Sequence, residues 1–141
     1  MLQKPHILIA DDDDEDRLLL RTAFEAITLT SNILYMEGGL QVLQYLDALS
    51  EAMTLPALIV LDLNMPKLDG LETLKRLKNN PRYKDIPVIV YTTSVLAPEK
   101  ERCLALGAED FIKKPVSFSE IKSVAQFLLR YAGIIFILSI P

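Results

Sequence analysis

Six acids run without a break from Asp11 to Asp16, directly behind the apolar run Ile7-Leu-Ile-Ala10, and a second apolar run, Leu58-Ile-Val-Leu, also stops on a carboxylate, Asp62. Acids in a helix's first turn complement its dipole, and Asp13 or Asp14 suits the N-cap, which accounts for Asp14 to Asp16. Asp11 and Asp12 remain, and carboxylates crowded at a strand end repel one another without a cation. Two more groups able to do chemistry follow apolar runs: the hydroxyl of Thr92 and the ammonium of Lys114. Three acids, completed by a backbone carbonyl and waters, form a ligand set that suits Mg²⁺. A hydroxyl and an ammonium can hold phosphoryl oxygens, and an aspartate can attack phosphorus and carry an acyl phosphate. Taken singly, Asp62 serves equally as a helix cap, Thr92 as a helix-entry hydroxyl and Lys114 as a solvated lysine.

What matters is whether the chain brings these groups together. Strands are expected at His6–Ala10, Asn32–Glu37, Ala57–Asp62, Ile86–Tyr91 and Glu109–Lys113, each followed by a helical pattern. The inner faces are expected to carry Leu20, Phe24 and Ile27; then Leu40, Leu43, Leu46 and Leu49; then Leu71, Leu74 and Leu77. Lys75, Arg76 and Lys78 read as the solvated side of the third helix. Pro98 and Glu99 open a short fourth helix that stops near Gly107. Ser117 and Glu120 have capping-box spacing ahead of Phe118, Ile121, Val124, Ala125 and Leu128. Strand then helix, five times over, with strands too apolar to face water, implies a parallel sheet between helix layers. Asp11, Asp12, Asp62, Thr92 and Lys114 then fall on one edge of that sheet, where ligands gather in open α/β folds.

Composition sets limits on the rest. A chain of 141 residues is one domain. A formal charge of −4 with no basic patch argues against direct nucleic-acid binding. Cys103 is the sole cysteine, so an intrachain disulfide is excluded and a buried thiol in a reducing cytoplasm is expected. No run approaches the roughly 20 apolar residues of a membrane span, and no secretory signal is visible.

The five parts, in this order, resemble the receiver domain of two-component response regulators over about residues 5 to 131, especially the stand-alone chemotaxis and phytochrome-associated type. The acidic pair Asp11 and Asp12 follows the first strand; Asp62 opens Asp-Leu-Asn-Met-Pro-Lys-Leu-Asp-Gly; Thr92 follows the fourth strand; Phe111 lies within the fifth; Lys114-Pro115 follows it. The resemblance implies a flavodoxin-like (βα)5 three-layer sandwich with strand order 2-1-3-4-5. It implies that Asp62 is the phosphoacceptor, that Asp12 and Asp62 hold Mg²⁺ with Asp11 directly or through water, and that Asn64 adds its backbone carbonyl. Thr92 and Phe111 would be the switch pair, Lys114 the phosphoryl partner, and the Lys114-Pro115 bond cis. A sensor histidine kinase or histidine phosphotransfer protein would be the donor, and a protein-binding face of the fourth helix, fifth strand and fifth helix the output. Such a module is no conventional enzyme: it catalyses its own phosphotransfer and autodephosphorylation. Position 111 is Phe where many relatives have Tyr, and six acids replace the usual two or three.

A haloacid-dehalogenase-type phosphatase also uses a strand-end Asp with Mg²⁺, but it wants a second acid two residues on, where this chain has Asn64. A pseudo-receiver that binds partners without phosphorylation would not need the intact acids, Thr92 and Lys114. No Gly-x-Gly-x-x-Gly follows the first strand, against a dinucleotide site. Residues 1–131 are expected to be the whole domain, without an output domain. Residues 132–141 form an apolar tail that includes the helix terminator Gly133, and a homodimer contact is expected through residues 133–141 or through the face of the fourth helix, fifth strand and fifth helix.

Overall fold

The computed structural model describes residues 6–27, 32–93 and 96–134. Ser94, expected from the resemblance to flank the path of hydrolytic water together with Asn64, and the apolar tail from residue 135 onward therefore lie outside the described residues. The elements alternate throughout: β1 (Ile7–Ala10), α1 (Asp14–Ile27), β2 (Ile33–Met36), α2 (Gly39–Ala48), β3 (Leu58–Leu61), α3 (Gly70–Lys78), β4 (Val88–Thr92), α4 (Ala97–Ala105), β5 (Asp110–Lys113) and α5 (Phe118–Tyr131). All neighbouring strands pair in parallel, in the order β2-β1-β3-β4-β5. This is the flavodoxin-like arrangement that the resemblance implies.

Period-two alternation along each strand builds two cores, one on each face of the sheet. Ile7, Ile9, Leu58, Val60, Ile89 and Tyr91 point to the side covered by α1 and α5, meeting Leu20, Phe24, Ile121 and Leu128. Leu8, Ala10, Ile59, Leu61, Val88 and Val90 point to the side covered by α2, α3 and α4, meeting Val42, Leu46, Leu74, Leu77 and Cys103. Because both faces are covered, β1, β3 and β4 are buried at every residue, which is why they read as continuous apolar runs.

Several expected faces shift. Leu40 and Phe118 are exposed, and Val42 is buried instead. A three-residue step turns a helix by about 300°, so residues at that spacing drift about 60° per step and cannot all face inward. Lys78 does not join Lys75 and Arg76 in water. It is half-buried, its Nζ donates to the carbonyls of Lys84 at 3.0 Å and Ile86 at 2.8 Å, and its apolar stem lies against Gly107.

The caps are as expected in two places. Ser117 accepts from the Glu120 amide at 3.2 Å, opening α5. At its far end the Gly133 backbone has φ 72°, and the Ile134 amide donates to the Leu129 carbonyl, a glycine-terminated helix.

The loop from β3 to α3 folds back on the strand it leaves. Lys67 sits at φ 66°, a conformation that costs a side-chain-bearing residue about 1 kcal/mol or more. At Gly70 an added Cβ would stand 2.0 Å from the Asp62 carbonyl oxygen, a backbone atom that cannot step aside. Gly70→Ala is therefore expected to destabilise the protein by about 3 kcal/mol in urea unfolding, and Lys67→Gly to be neutral or stabilising in the same assay.

Candidate functional site

Strand register sets the site. Ala10 pairs with Leu61, so Asp11 and Asp62 are each one residue past adjacent strand ends, with the Asp62 amide on the Ala10 carbonyl at 3.0 Å. Thr92 pairs with Lys113, and the Lys114 amide donates to the Thr92 carbonyl at 2.8 Å, which brings the next strand end to the same edge. Asp11, Asp62, Thr92 and Lys114 are buried there, while Asp12 stands open to solvent. Oxygens of Asp11, Asp12 and Asp62 lie within 4.8 Å of one another.

The Lys114 ammonium fills the space between the acids. Its Nζ is 2.6 Å from Asp11 Oδ2, 2.7 Å from Asp16 Oδ2 and 3.0 Å from Asp62 Oδ2. The other oxygen of each strand-end acid accepts a backbone amide, Asp11 Oδ1 from Asp13 at 3.0 Å and Asp62 Oδ1 from Asn64 at 3.2 Å. Asp13 in turn caps α1, accepting from the Asp16 amide at 3.0 Å. Arg17 donates to the Asp11 carbonyl at 2.5 Å and pairs with Asp14, pinning the turn from outside.

Comparison with known proteins then decides the family. Residues 7–126 match the response regulator receiver domain. The chain belongs to the response-regulator receiver family. This receiver is 33% identical over 127 residues to the probable methanogenesis regulatory protein FilR2 of Methanothrix harundinacea (strain 6Ac), covering 89% of this chain and 81% of that one. Its fold is similar to that of the phosphorylated cyanobacterial phytochrome response regulator RcpA, with a TM-score of 0.81 and 27% identity over 92% of this chain and 94% of that one. It is also similar to the Mn(2+)-bound form of response regulator Rcp1, with a TM-score of 0.78 and 29% identity over 89% and 92% of the two chains. Among the described residues no helix of the receiver is long and apolar enough to cross a membrane.

The receiver's sequence-named residues fall in two groups. Asp11, Asp12, Asp62 and Lys114 converge directly, and Asn64 touches the set through its amide. Thr92 is at the same edge, and Phe111 packs into the core on the α2, α3 and α4 side. Two readings need correction. No cis peptide bond occurs among the described residues, so Lys114-Pro115 is trans, the lower-energy isomer of such a bond. Asp16 is not merely a dipole-complementing acid at the start of α1, since its carboxylate is one of the three that hold Lys114. The signal for it was present but not distinctive: Asp16 lies one helical turn after Asp12, and helix-start acids are common.

Electrostatics follow from crowding charge in a dry place. Burial pushes the Asp11 carboxyl up to about 6, reinforced by the nearby Asp62 charge and opposed by its contacts with Lys114 and the Asp13 amide. Burial alone would pull the Lys114 ammonium down, but contact with Asp11, Asp16 and Asp62 outweighs it and holds the group above the ordinary lysine range. The Tyr91 ring closes the site beneath, 5.8 Å from the ammonium, and burial pushes its phenol up to about 12.

A carboxyl raised by folding weakens the fold once it ionises: the penalty is absent below its ordinary 3.8 and fully present above about 6. In metal-free protein, Asp11→Asn is expected to raise the melting temperature above pH 6 relative to wild type, with the gain vanishing as pH falls toward 4. Thermal melts across that range check it.

Proposed function

We propose that this receiver is a Mg²⁺-dependent phosphoacceptor in a phosphorelay, with Asp62 as the residue that takes the phosphoryl group. The observation that carries the reading is the meeting of a buried strand-end aspartate with a second buried acid, an open third acid and a buried ammonium on one sheet edge. The donor set fits a hard divalent ion. Oxygens around one octahedral Mg²⁺ lie roughly 3 to 4 Å apart, close to the spread of Asp11, Asp12 and Asp62, and a cation, the Lys114 ammonium, already lies within hydrogen-bond distance of two of them. Asp11, Asp12 and Asp62 would hold the ion, with the Asn64 backbone carbonyl. When bound, it supplies positive charge to the oxygens of the incoming phosphoryl group.

An Asp62 carboxylate oxygen forms the O–P bond as the P–N bond of a phosphohistidine breaks, and the departing imidazole keeps that bond's electron pair and takes up a proton. Lys114 and Thr92 hold the new phosphoryl oxygens, which place about two negative charges where one stood. Thr92 and Phe111 are the switch pair, and the face of α4, β5 and α5 is the surface that answers. Exposed Leu18 and Leu19 on α1 and Val116 beside Lys114 flank the site and suit docking of the donor, a sensor histidine kinase or histidine phosphotransfer protein. The domain occupies residues 1–131 and works in the cytoplasm through protein contacts without touching DNA. Leu104, Phe127 and Tyr131 remain exposed near the answering face and suit self-association there.

Intact mass after incubation with acetyl phosphate and Mg²⁺ tests the assignment. One phosphoryl adduct is expected on the wild type, none on Asp62→Asn, and none on the wild type once the metal is chelated. An adduct that survives in Asp62→Asn would move the acceptor elsewhere. Light scattering with and without residues 133–141 tests the tail: loss of a dimer on truncation assigns it the contact, and an unchanged mass removes that role.

A further inference from the structure

Resting on the phosphoacceptor reading, we propose that Asp16 is a positioning residue that draws the Lys114 ammonium away from Asp11 and Asp62, easing metal entry and restraining Lys114's grip on the phosphoryl group. Asp16 stands apart from the other carboxylates in what it can bind. The acids whose oxygens can meet on one ion are Asp11, Asp12 and Asp62, and Asp16 is not among them. It does hold the same ammonium, at 2.7 Å, between Asp11 at 2.6 Å and Asp62 at 3.0 Å. Its position is fixed, because its own amide is tied to the Asp13 carboxylate in the first turn of α1.

An ammonium has three protons, and here each finds one carboxylate. A metal that takes Asp11 and Asp62 competes for two of those acceptors. The Lys114 side chain is only 6% exposed, so without a further partner its released protons would be left buried and unsatisfied. The Asp16 side chain is 30% exposed, so it keeps its charge at smaller desolvation cost and can hold the ammonium while the other two serve the metal. The same pull acts in the opposite sense later, when phosphoryl oxygens compete with Asp16 for Lys114.

Two opposed effects on two probes therefore define the role. In Asp16→Asn, Mg²⁺ affinity measured by titration calorimetry is expected to fall by about fivefold to tenfold, the size of one lost charge-assisted hydrogen bond. At saturating Mg²⁺, affinity for beryllium fluoride, a phosphoryl mimic read by ¹⁹F NMR, is expected to rise by about threefold or more. Glu15→Gln removes an exposed charge one residue away and is expected to change each by less than about twofold. Asp16→Glu, which keeps the charge, is expected to recover most of both, and Asp16→Ser to repeat Asp16→Asn. Equal effects from Asp16→Asn and Glu15→Gln would reduce Asp16 to a general field and overturn the role. A fall in both affinities together would mark structural damage and overturn it as well. Wild-type protein that takes up neither probe would overturn the phosphoacceptor reading itself, and the role of Asp16 with it.

Discussion

A lysine ammonium buried among three carboxylates is the constraint on which the rest of this structure depends. At an effective dielectric near 20, two like charges about 4.8 Å apart repel by roughly 3 kcal/mol, a large share of the roughly 5 to 15 kcal/mol that holds such a domain together. Lys114 offsets that repulsion but leaves carboxylate charge in excess. The fold must then hold strand ends together that electrostatics alone would separate. It does so with the two apolar cores, whose residues on β1, β3 and β4 are almost wholly excluded from water.

Topology explains why the pairing is available at all. Lys114 and Asp16 are 98 residues apart, and Lys114 and Asp62 are 52 apart. A parallel sheet places every strand's carboxyl end on one edge, so residues far apart in the chain need only follow their strands by one or two positions to meet. The cost falls on the connections. Gly70 lets the returning loop pass against the Asp62 carbonyl, and Lys67 accepts a left-handed backbone conformation in the same loop. Substitutions there would be felt at Asp62 through its backbone.

Much of this was legible in the chain because buried parallel strands have a plain signature. Leu58-Ile-Val-Leu and Val88-Ile-Val-Tyr could not face water on either side, and a carboxylate and a hydroxyl placed just past them stand out against such neighbours. Edge elements and helix faces were harder. A three-residue leucine spacing in α2 suggested an inward Leu40, where helical geometry favours Val42. Lys78 looked solvated because a sequence shows its charge but not the carbonyls of Lys84 and Ile86 waiting for it. Asp16 was hidden for a related reason. An acid in the first helical turn has a sufficient local explanation, and only the distant arrival of Lys114 gives it another one.

On the proposed reading, the most weakly anchored of the helices is the one placed to answer a change at the site. α4 has Leu96 at its N-cap with no side-chain cap, buries only Cys103 among its own residues, and leaves Leu96 and Leu104 exposed. Elements with few buried apolar anchors open at lower free energy than core strands. α4 also follows β4 directly, so the backbone that carries Thr92 at the sheet edge leads into it. Across the pairing from β4, Val90 and Phe111 are partners, and Phe111 joins the core that α4 covers. On the proposed reading, a new anion at Asp62 meets a strand core that stays in place and a weakly anchored helix that can respond to it. On the proposed reading, a shift of a few kcal/mol is enough to repopulate such a helix, whereas it would leave the β1 to β4 core unmoved.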